Sequence, residues 1–255
     1  MKKIKSFIKS FIILILNRFI TLKKKENSFD KIYISKIKKN DITVFDCGAG
    51  EGASILRFKK ILPNCTIHSF EPLDIFYKKL EKMYKDRDDI KINYQGVGNT
   101  RTVQKFHKLK KYNGSSFLNP NLNSKWFSRD FSKLNTELGS PAYDHDQNTP
   151  EVIEQQVEVN TIDNYLMENK LNFIDILKIK TQGSEVNILN GTKLSFSNKK
   201  VRFLEIRIIM SDIYLKENSI GDVENAIKQY NFKLIAINHF NNGNSFWIDL
   251  LYENI

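Results

Sequence analysis

Short apolar runs alternate with helical spacings along most of this chain, and the alternation predicts strands and helices in turn. Ile42-Thr43-Val44-Phe45-Asp46 reads as a strand, and a helical pattern follows over 53–62 until Pro63-Asn64 stops it. A strand over 65–70 and a helix over 73–86, opened at Pro72, repeat the unit. A strand over 90–95 then runs into Gln95-Gly96-Val97-Gly98-Asn99, which reads as a turn. Strands are predicted at 103–107, as part of an added hairpin, and at 155–159. A helix over 162–168 capped by Thr161, an apolar strand over 173–179, a helix over 185–190 ended by Gly191 and a strand over 201–206 come next. A helix over 219–230 and a closing hairpin of strands 232–237 and 246–252 finish the pattern. Such alternation predicts an α/β fold: a doubly wound, mostly parallel sheet with helices on both faces and one antiparallel closing strand.

Two stretches depart from this rhythm. Residues 1–39 read as basic amphipathic helices, set apart from a domain over 40–255. Within them, Lys2, Lys3 and Lys5 precede apolar positions from Phe7 to Leu22, and Lys23-Lys24-Lys25 closes the segment. The uninterrupted run Phe11 to Leu16 is far shorter than the ~20 residues that span a bilayer, and the lack of a small-residue cleavage site argues against a signal peptide. Residues 1–25 can lie in a membrane interface, which implies a cytoplasmic protein with peripheral contact at the inner face. They can equally pack on their own domain or on a partner subunit. The second departure is the irregular stretch over 111–150, with Trp126, Phe127, Phe131 and Tyr143, which reads as a lid over substrate.

Composition adds two limits. Cys47 and Cys65 both fall in predicted strands, which points to a reducing compartment and excludes a disulfide scaffold, and no strong metal motif is present. The net charge of +11 suggests an acidic partner such as nucleic acid or anionic lipid. Yet the lysines are scattered, without an arginine-rich or aromatic-interleaved segment, so solvated faces account for them and nucleic acid is not the expected partner.

The chemistry concentrates at the first strand–helix turn, Asp46-Cys47-Gly48-Ala49-Gly50-Glu51-Gly52. Glycines at alternate positions permit a sharp turn and close approach of a ligand to the backbone. Glu71-Pro72 ends the next strand, where a carboxylate can accept hydrogen bonds from ribose hydroxyls. The spacing departs from the G-x-G-x-x-G of nicotinamide sites, and no G-K-[ST] of a phosphate loop occurs. An adenosine-type cofactor without a phosphate fits best, and the D-x-G-x-G-x-G form resembles the first motif of the Rossmann-like class I methyltransferases that use S-adenosyl-L-methionine.

Several spaced motifs together resemble the FkbM-type methyltransferase family. They are the glycine loop, Phe70-Glu71-Pro72, Gly114-Ser115-Ser116, Leu177-Lys178-Ile179-Lys180-Thr181-Gln182-Gly183-Ser184-Glu185, Phe203-Leu204-Glu205-Ile206 and the closing Ser245 to Tyr252. The resemblance covers roughly residues 40 to 252. It implies O-methylation of a hydroxyl on a sugar, glycan or related small molecule, as in polysaccharide biosynthesis. It also implies cofactor contacts from Asp46, Gly48, Gly50, Gly52, Glu71 and Pro72, with Gly96 and Val97 by the adenine. This chain has Gly50 where the family usually has Asn, and Lys180 where it usually has an aspartate.

A weakly acidic hydroxyl gains from a general base. The candidates are Glu205, Lys180, Glu185 and His145, the last between Asp144 and Asp146. Two other readings compete. A nucleic acid methyltransferase fits the charge, but Asn119-Pro120-Asn121-Leu122 and Asn64-Cys65 supply neither an N-P-P-Y-like tetrapeptide nor a P-C nucleophile. A non-catalytic methyltransferase-fold binding subunit is motivated by Lys180.

Overall fold

The computed structural model describes residues 28–109, 114–124, 151–239 and 247–255. The chain divides between Lys38 and Lys39 into two units. In the first, α1 (Ser28–Lys36) carries Phe29 and Tyr33 one turn apart on one face. Residues 1–25 and His145 lie outside the described residues, as does the 111–150 stretch apart from 114–124. No helix among the described residues is long and apolar enough to cross a membrane.

The second unit is built on a seven-stranded sheet. Its strands are β1 (Ile42–Cys47), β2 (Cys65–Phe70), β3 (Ile90–Asn93), β7 (Ile174–Ile179), β8 (Val201–Ile209), β9 (Phe232–His239) and β10 (Trp247–Asn254). Their order is β3-β2-β1-β7-β8-β10-β9. Neighbours are parallel except at β10, which runs antiparallel to both β8 and β9, so the expected single antiparallel strand and closing hairpin are present. This is the expected Rossmann-like architecture. Central strands of a parallel sheet are covered on both faces and read as near-continuous apolar runs. β7 is accordingly buried at every position, and Phe45, Ile179, Leu204, Ile206 and Leu250 share one core.

Connecting helices are α2 (Ala53–Ile61), α3 (Asp74–Tyr84), α4 (Ile162–Glu168), α5 (Glu185–Asn190), α6 (Lys193–Ser197) and α7 (Ile220–Ile227). Thr161 caps α4 as expected, and Ser219 with Asp222 forms a capping box that starts α7. Helix α6 was not predicted. Its first backbone N–H groups, at Leu194 and Ser195, are satisfied by the carboxylate of Asp163 on α4, a cap supplied from elsewhere in the chain.

The turn expected over 95–99 is corrected by a second sheet. Gly96–Val97 is a two-residue strand, β4, that pairs parallel with β6 (Val152–Asn160). β5 (Thr102–Leu109) pairs antiparallel with the same β6, so the order is β4-β6-β5. The partner of the predicted hairpin arm is therefore distant in sequence: the ladder pairs Leu109 with Val152 and Thr102 with Val159. Glycine permits the arrangement: a Cβ on Gly96 would lie 2.5 Å from the Phe117 ring.

Candidate active site

β1 ends at Cys47, and the chain must climb into α2 within five residues. It does so through three left-handed glycines, Gly48 (φ 78), Gly50 (φ 54) and Gly52 (φ 87). Each is glycine for a different reason. A Cβ on Gly48 would stand 2.2 Å from the carbonyl oxygen of Lys180, so the loop is pressed against the end of β7. A Cβ on Gly52 would meet Leu80 of α3 at 2.7 Å. At Gly50 a Cβ would meet nothing within 4 Å, so Gly50 alone of the three borders open space.

Glu71 reaches the same turn from just beyond the end of β2. Its Oε2 accepts from the Gly50 N–H at 2.7 Å and its Oε1 from the Leu73 N–H at 2.9 Å. A carboxylate oxygen has two lone pairs, so each keeps one acceptor site for a diol. Burial pushes the Glu71 carboxyl up to about 7, against the Leu73 and Gly50 N–H groups and the Lys178 charge, which favour ionisation. The carbonyl of the adjacent Pro72 accepts from Gln155 on β6 at 3.4 Å, which ties this strand end to the second sheet. Gly96 and Val97 are buried in β4, just beyond the end of β3.

Asp46 is fully buried and engaged beneath the loop. Its Oδ1 accepts from Lys178 Nζ at 2.6 Å and its Oδ2 from Ser54 Oγ at 2.5 Å. Lys178 also donates to the Gly48 carbonyl at 2.8 Å, so one buried ammonium joins β1, β7 and the glycine turn. These groups hold the loop from below rather than line its open side.

The same sheet face carries a second set of charges. Asp46, Lys178 and Glu205 are cross-strand neighbours on β1, β7 and β8. Side chains two residues on share their face, which brings in Lys180 and Arg207, with Asp249 opposite Arg207 on β10. Ion pairs then run Arg57–Glu205 (2.8 Å), Glu205–Lys180 (2.8 Å), Lys180–Asp249 (3.1 Å) and Asp249–Arg207 (2.7 Å). Arg57 reaches the row from α2, on the face that also presents Ser54. Burial would raise the Glu205 carboxyl, but the charges of Lys180 and Arg57 outweigh it and hold that carboxyl far below the usual carboxylate range. Asp249 is likewise lowered, with burial opposed by Arg207 and Lys180.

The turn after Lys180 is shaped from within and from outside. Glu185 folds back, its Oε1 accepting from the Thr181 N–H at 3.0 Å and the Gly183 N–H at 3.2 Å. Burial pushes its carboxyl up. Gln182 is held at φ 60, a left-handed conformation unusual for a side-chain-bearing residue and one that persists only where surroundings enforce it. Ser116 Oγ donates to the Gln182 carbonyl at 2.6 Å, and Asn218 Nδ2 donates to the Gly183 carbonyl. Tyr214 Oη donates to the Gly114 carbonyl at 2.8 Å and lies 3.5 Å from Gln182 Oε1. The Gly114-Ser115-Ser116 segment thus clamps this turn.

The fold brings Asp46, Gly48, Gly50, Gly52 and Glu71 to one sheet edge and Lys180, Glu185 and Glu205 to the neighbouring strand ends. The sequence reading gave no site role to Arg57, Lys178, Arg207, Tyr214 or Asp249, although Lys178 and Asp249 fall within the family motifs. Alternation along the strands was the available signal for three of them, since Lys178 and Arg207 stand two residues from named candidates and Asp249 interrupts an apolar run. Among the described residues, no group of three or more His, Cys, Asp or Glu side chains could hold a metal ion.

The methyltransferase FkbM domain description matches residues 46–234. No curated protein matches the chain. Similar solved structures include an uncharacterized protein from Listeria monocytogenes serotype 4b, 10% identical, covering 91% of this chain and 69% of that one with a TM-score of 0.46. M. capricolum TrmK in complex with S-adenosyl-homocysteine is 9% identical over 89% of this chain and 69% of that one, with a TM-score of 0.43. An rRNA methylase from Streptococcus thermophilus is 10% identical over 88% of this chain and 92% of that one, with a TM-score of 0.46.

Proposed function

The chain belongs to the FkbM methyltransferase family, whose cofactor is S-adenosylmethionine, and we propose that it transfers the methyl group to a hydroxyl of a sugar, glycan or related small molecule. The observation that supports the cofactor half of this reading is the open space at Gly50 beside a Glu71 carboxylate with an acceptor site left on each oxygen. Those residues fit a ribose diol. The hydroxyl acceptor follows from the family resemblance. The cofactor supplies a methyl group on a sulfonium, which leaves as a neutral thioether.

In this reading Glu71 accepts from both ribose hydroxyls, and Gly50 lets the ligand lie against the backbone. Gly48, Gly52, Asp46 and Lys178 hold the loop in its left-handed course. Pro72, Gly96 and Val97 bound the far side, toward the second sheet. Acceleration comes mainly from holding the acceptor oxygen in line with the methyl group. The base assignments change with the geometry. Glu205 is a weak proton acceptor, because Lys180 and Arg57 stabilise its anion, and Glu185 commits an oxygen to its own turn. Lys180 is an ion-paired cation. All three act as positioning residues here, and His145 is the proposed proton acceptor.

The reading is tested by isothermal titration of the full chain with S-adenosylmethionine and S-adenosylhomocysteine, followed by transfer of a labelled methyl group to a panel of glycans. Micromolar cofactor binding with label on a glycan oxygen is expected. Absence of cofactor binding would remove the reading, and label on a nitrogen would replace the O-methyl assignment.

Cofactor affinity should also depend on pH. Two donated hydroxyls favour ionised Glu71, so binding releases a proton wherever Glu71 is protonated in the empty site. With that carboxyl at about 7, affinity should be flat above neutrality and fall roughly tenfold per pH unit below it. In the empty protein the sign is opposite. A carboxyl raised from its ordinary 4.5 to about 7 stabilises the fold below 4.5, and this contribution is lost as pH rises through 7. Titration across this range, with Glu71→Gln flattening the profile, checks both halves.

A further inference from the structure

Resting on the acceptor reading above, we propose that Lys180 binds an anionic group on the acceptor, a carboxylate or a phosphate, next to the hydroxyl that is methylated. Lys180 stands where β7 leaves the sheet, and its carbonyl is the atom against which Gly48 packs, so it borders the edge that carries the glycine loop. Its ammonium has three N–H donors. Two meet Glu205 at 2.8 Å and Asp249 at 3.1 Å, both carboxylates inside the protein.

Burial sorts the charges of this row by sign. The side chains of Glu205 and Asp249 are 0% and 4% exposed, whereas those of Arg57, Lys180 and Arg207 are 17%, 17% and 25% exposed. The anions form the floor and the cations the rim. A molecule arriving from solvent meets ammonium and guanidinium groups first, and the buried carboxylates keep them fixed in place. A rim built this way attracts an anion and is preorganised to bind it, because the cations need no reorientation. A neutral sugar would replace the displaced water only with hydroxyl acceptors, whose hydrogen bonds to these cations are weaker than those of an anion.

The test uses the full chain loaded with S-adenosylhomocysteine, whose own binding is measured first. D-glucuronate, D-glucose 6-phosphate and D-glucose are then titrated by calorimetry or ligand-observed NMR. At least one charged sugar should bind about tenfold or more tighter than glucose, and the gap should shrink in high salt. Lys180→Met should abolish the gap while leaving S-adenosylhomocysteine affinity unchanged, and Lys180→Arg should restore most of it. Which charged sugar shows the gap identifies carboxylate or phosphate as the group recognised. Equal binding or equal non-binding of all three sugars to the parent protein would overturn the proposal, as would a gap that survives in Lys180→Met. If Lys180→Met does not fold, the salt dependence and Lys180→Arg decide. The same titrations on cofactor-free protein keep the outcomes separable, since failure to bind S-adenosylhomocysteine bears on the methyltransfer reading alone.

Discussion

Gly48→Ala should destabilise the domain by about 2–5 kcal/mol, whereas Gly50→Ala should cost the fold only about 1–2 kcal/mol and weaken cofactor binding. At Gly48 the new methyl would lie 2.2 Å from the Lys180 carbonyl oxygen. Neither side can retreat cheaply, because the Lys180 N–H is bonded to the Cys47 carbonyl and the Gly48 N–H to the Phe70 carbonyl. The left-handed φ of 78 adds roughly 1–2 kcal/mol and the overpacking about 1–3 kcal/mol more. A loss of about 2–5 kcal/mol is a large part of the ~5–15 kcal/mol that holds a typical domain together. At Gly50 only the left-handed term of roughly 1–2 kcal/mol applies to the fold, since nothing lies within 4 Å. The methyl would instead border the space where the ligand is proposed to sit, and weaker S-adenosylhomocysteine binding is expected, without its abolition because the family usually carries Asn at this position. Urea denaturation and calorimetry of the two variants separate these effects. Unchanged affinity in Gly50→Ala would mean that the ligand does not lie against the Gly50 backbone.

Lys178→Met should destabilise the protein by about 3–5 kcal/mol, the cost of leaving a buried charge without its partner. Asp46 is 0% exposed, and once Lys178 is gone its carboxylate keeps the Ser54 hydroxyl as a donor among the described residues. The Gly48 carbonyl would lose a donor as well. A double variant, Asp46→Asn with Lys178→Met, should recover much of the loss, because a neutral amide beside a thioether carries no unpaired charge. The coupling energy from a double-mutant cycle in urea reads the pair directly. A cycle with no coupling would show that the two side chains act independently, and the account of a loop held from below would fall.

These two results bear on how much of the site could be read in the chain. The loop was legible because each of its glycines answers a backbone requirement, and such requirements are local. Which glycines pack against protein and which one borders open space was not legible. Gly48 and Gly52 face Lys180 and Leu80, residues brought close only when β7 and α3 are in place. Glu71 was legible from its position after a strand, and its carboxylate accepts from the Gly50 N–H of the turn. Asp46 was placed at the correct strand end, but its neighbours Lys178 and Ser54 turn it inward.

The acceptor side separates further from what the sequence offers. Lys180 read alone is a cation in place of an aspartate, which suggested lost chemistry. In the fold it is the middle of a row whose carboxylates, Glu205 and Asp249, come from two other strands. The second sheet and helix α6 follow the same rule: β4 gains strand character only from β6, and α6 is capped only by Asp163.

The sequence by itself determined the order of the elements other than β4 and α6, the parallel sheet with its antiparallel β10, and the family motifs at their strand ends. Hydrophobic period, glycine and proline placement and strand-end carboxylates are properties of short segments, so they survive without coordinates. The tertiary structure alone decided what each charged side chain is for. A buried carboxylate becomes a base, a counter-ion or a ligand group according to which charges lie within a few ångströms, and those neighbours come from distant parts of the chain.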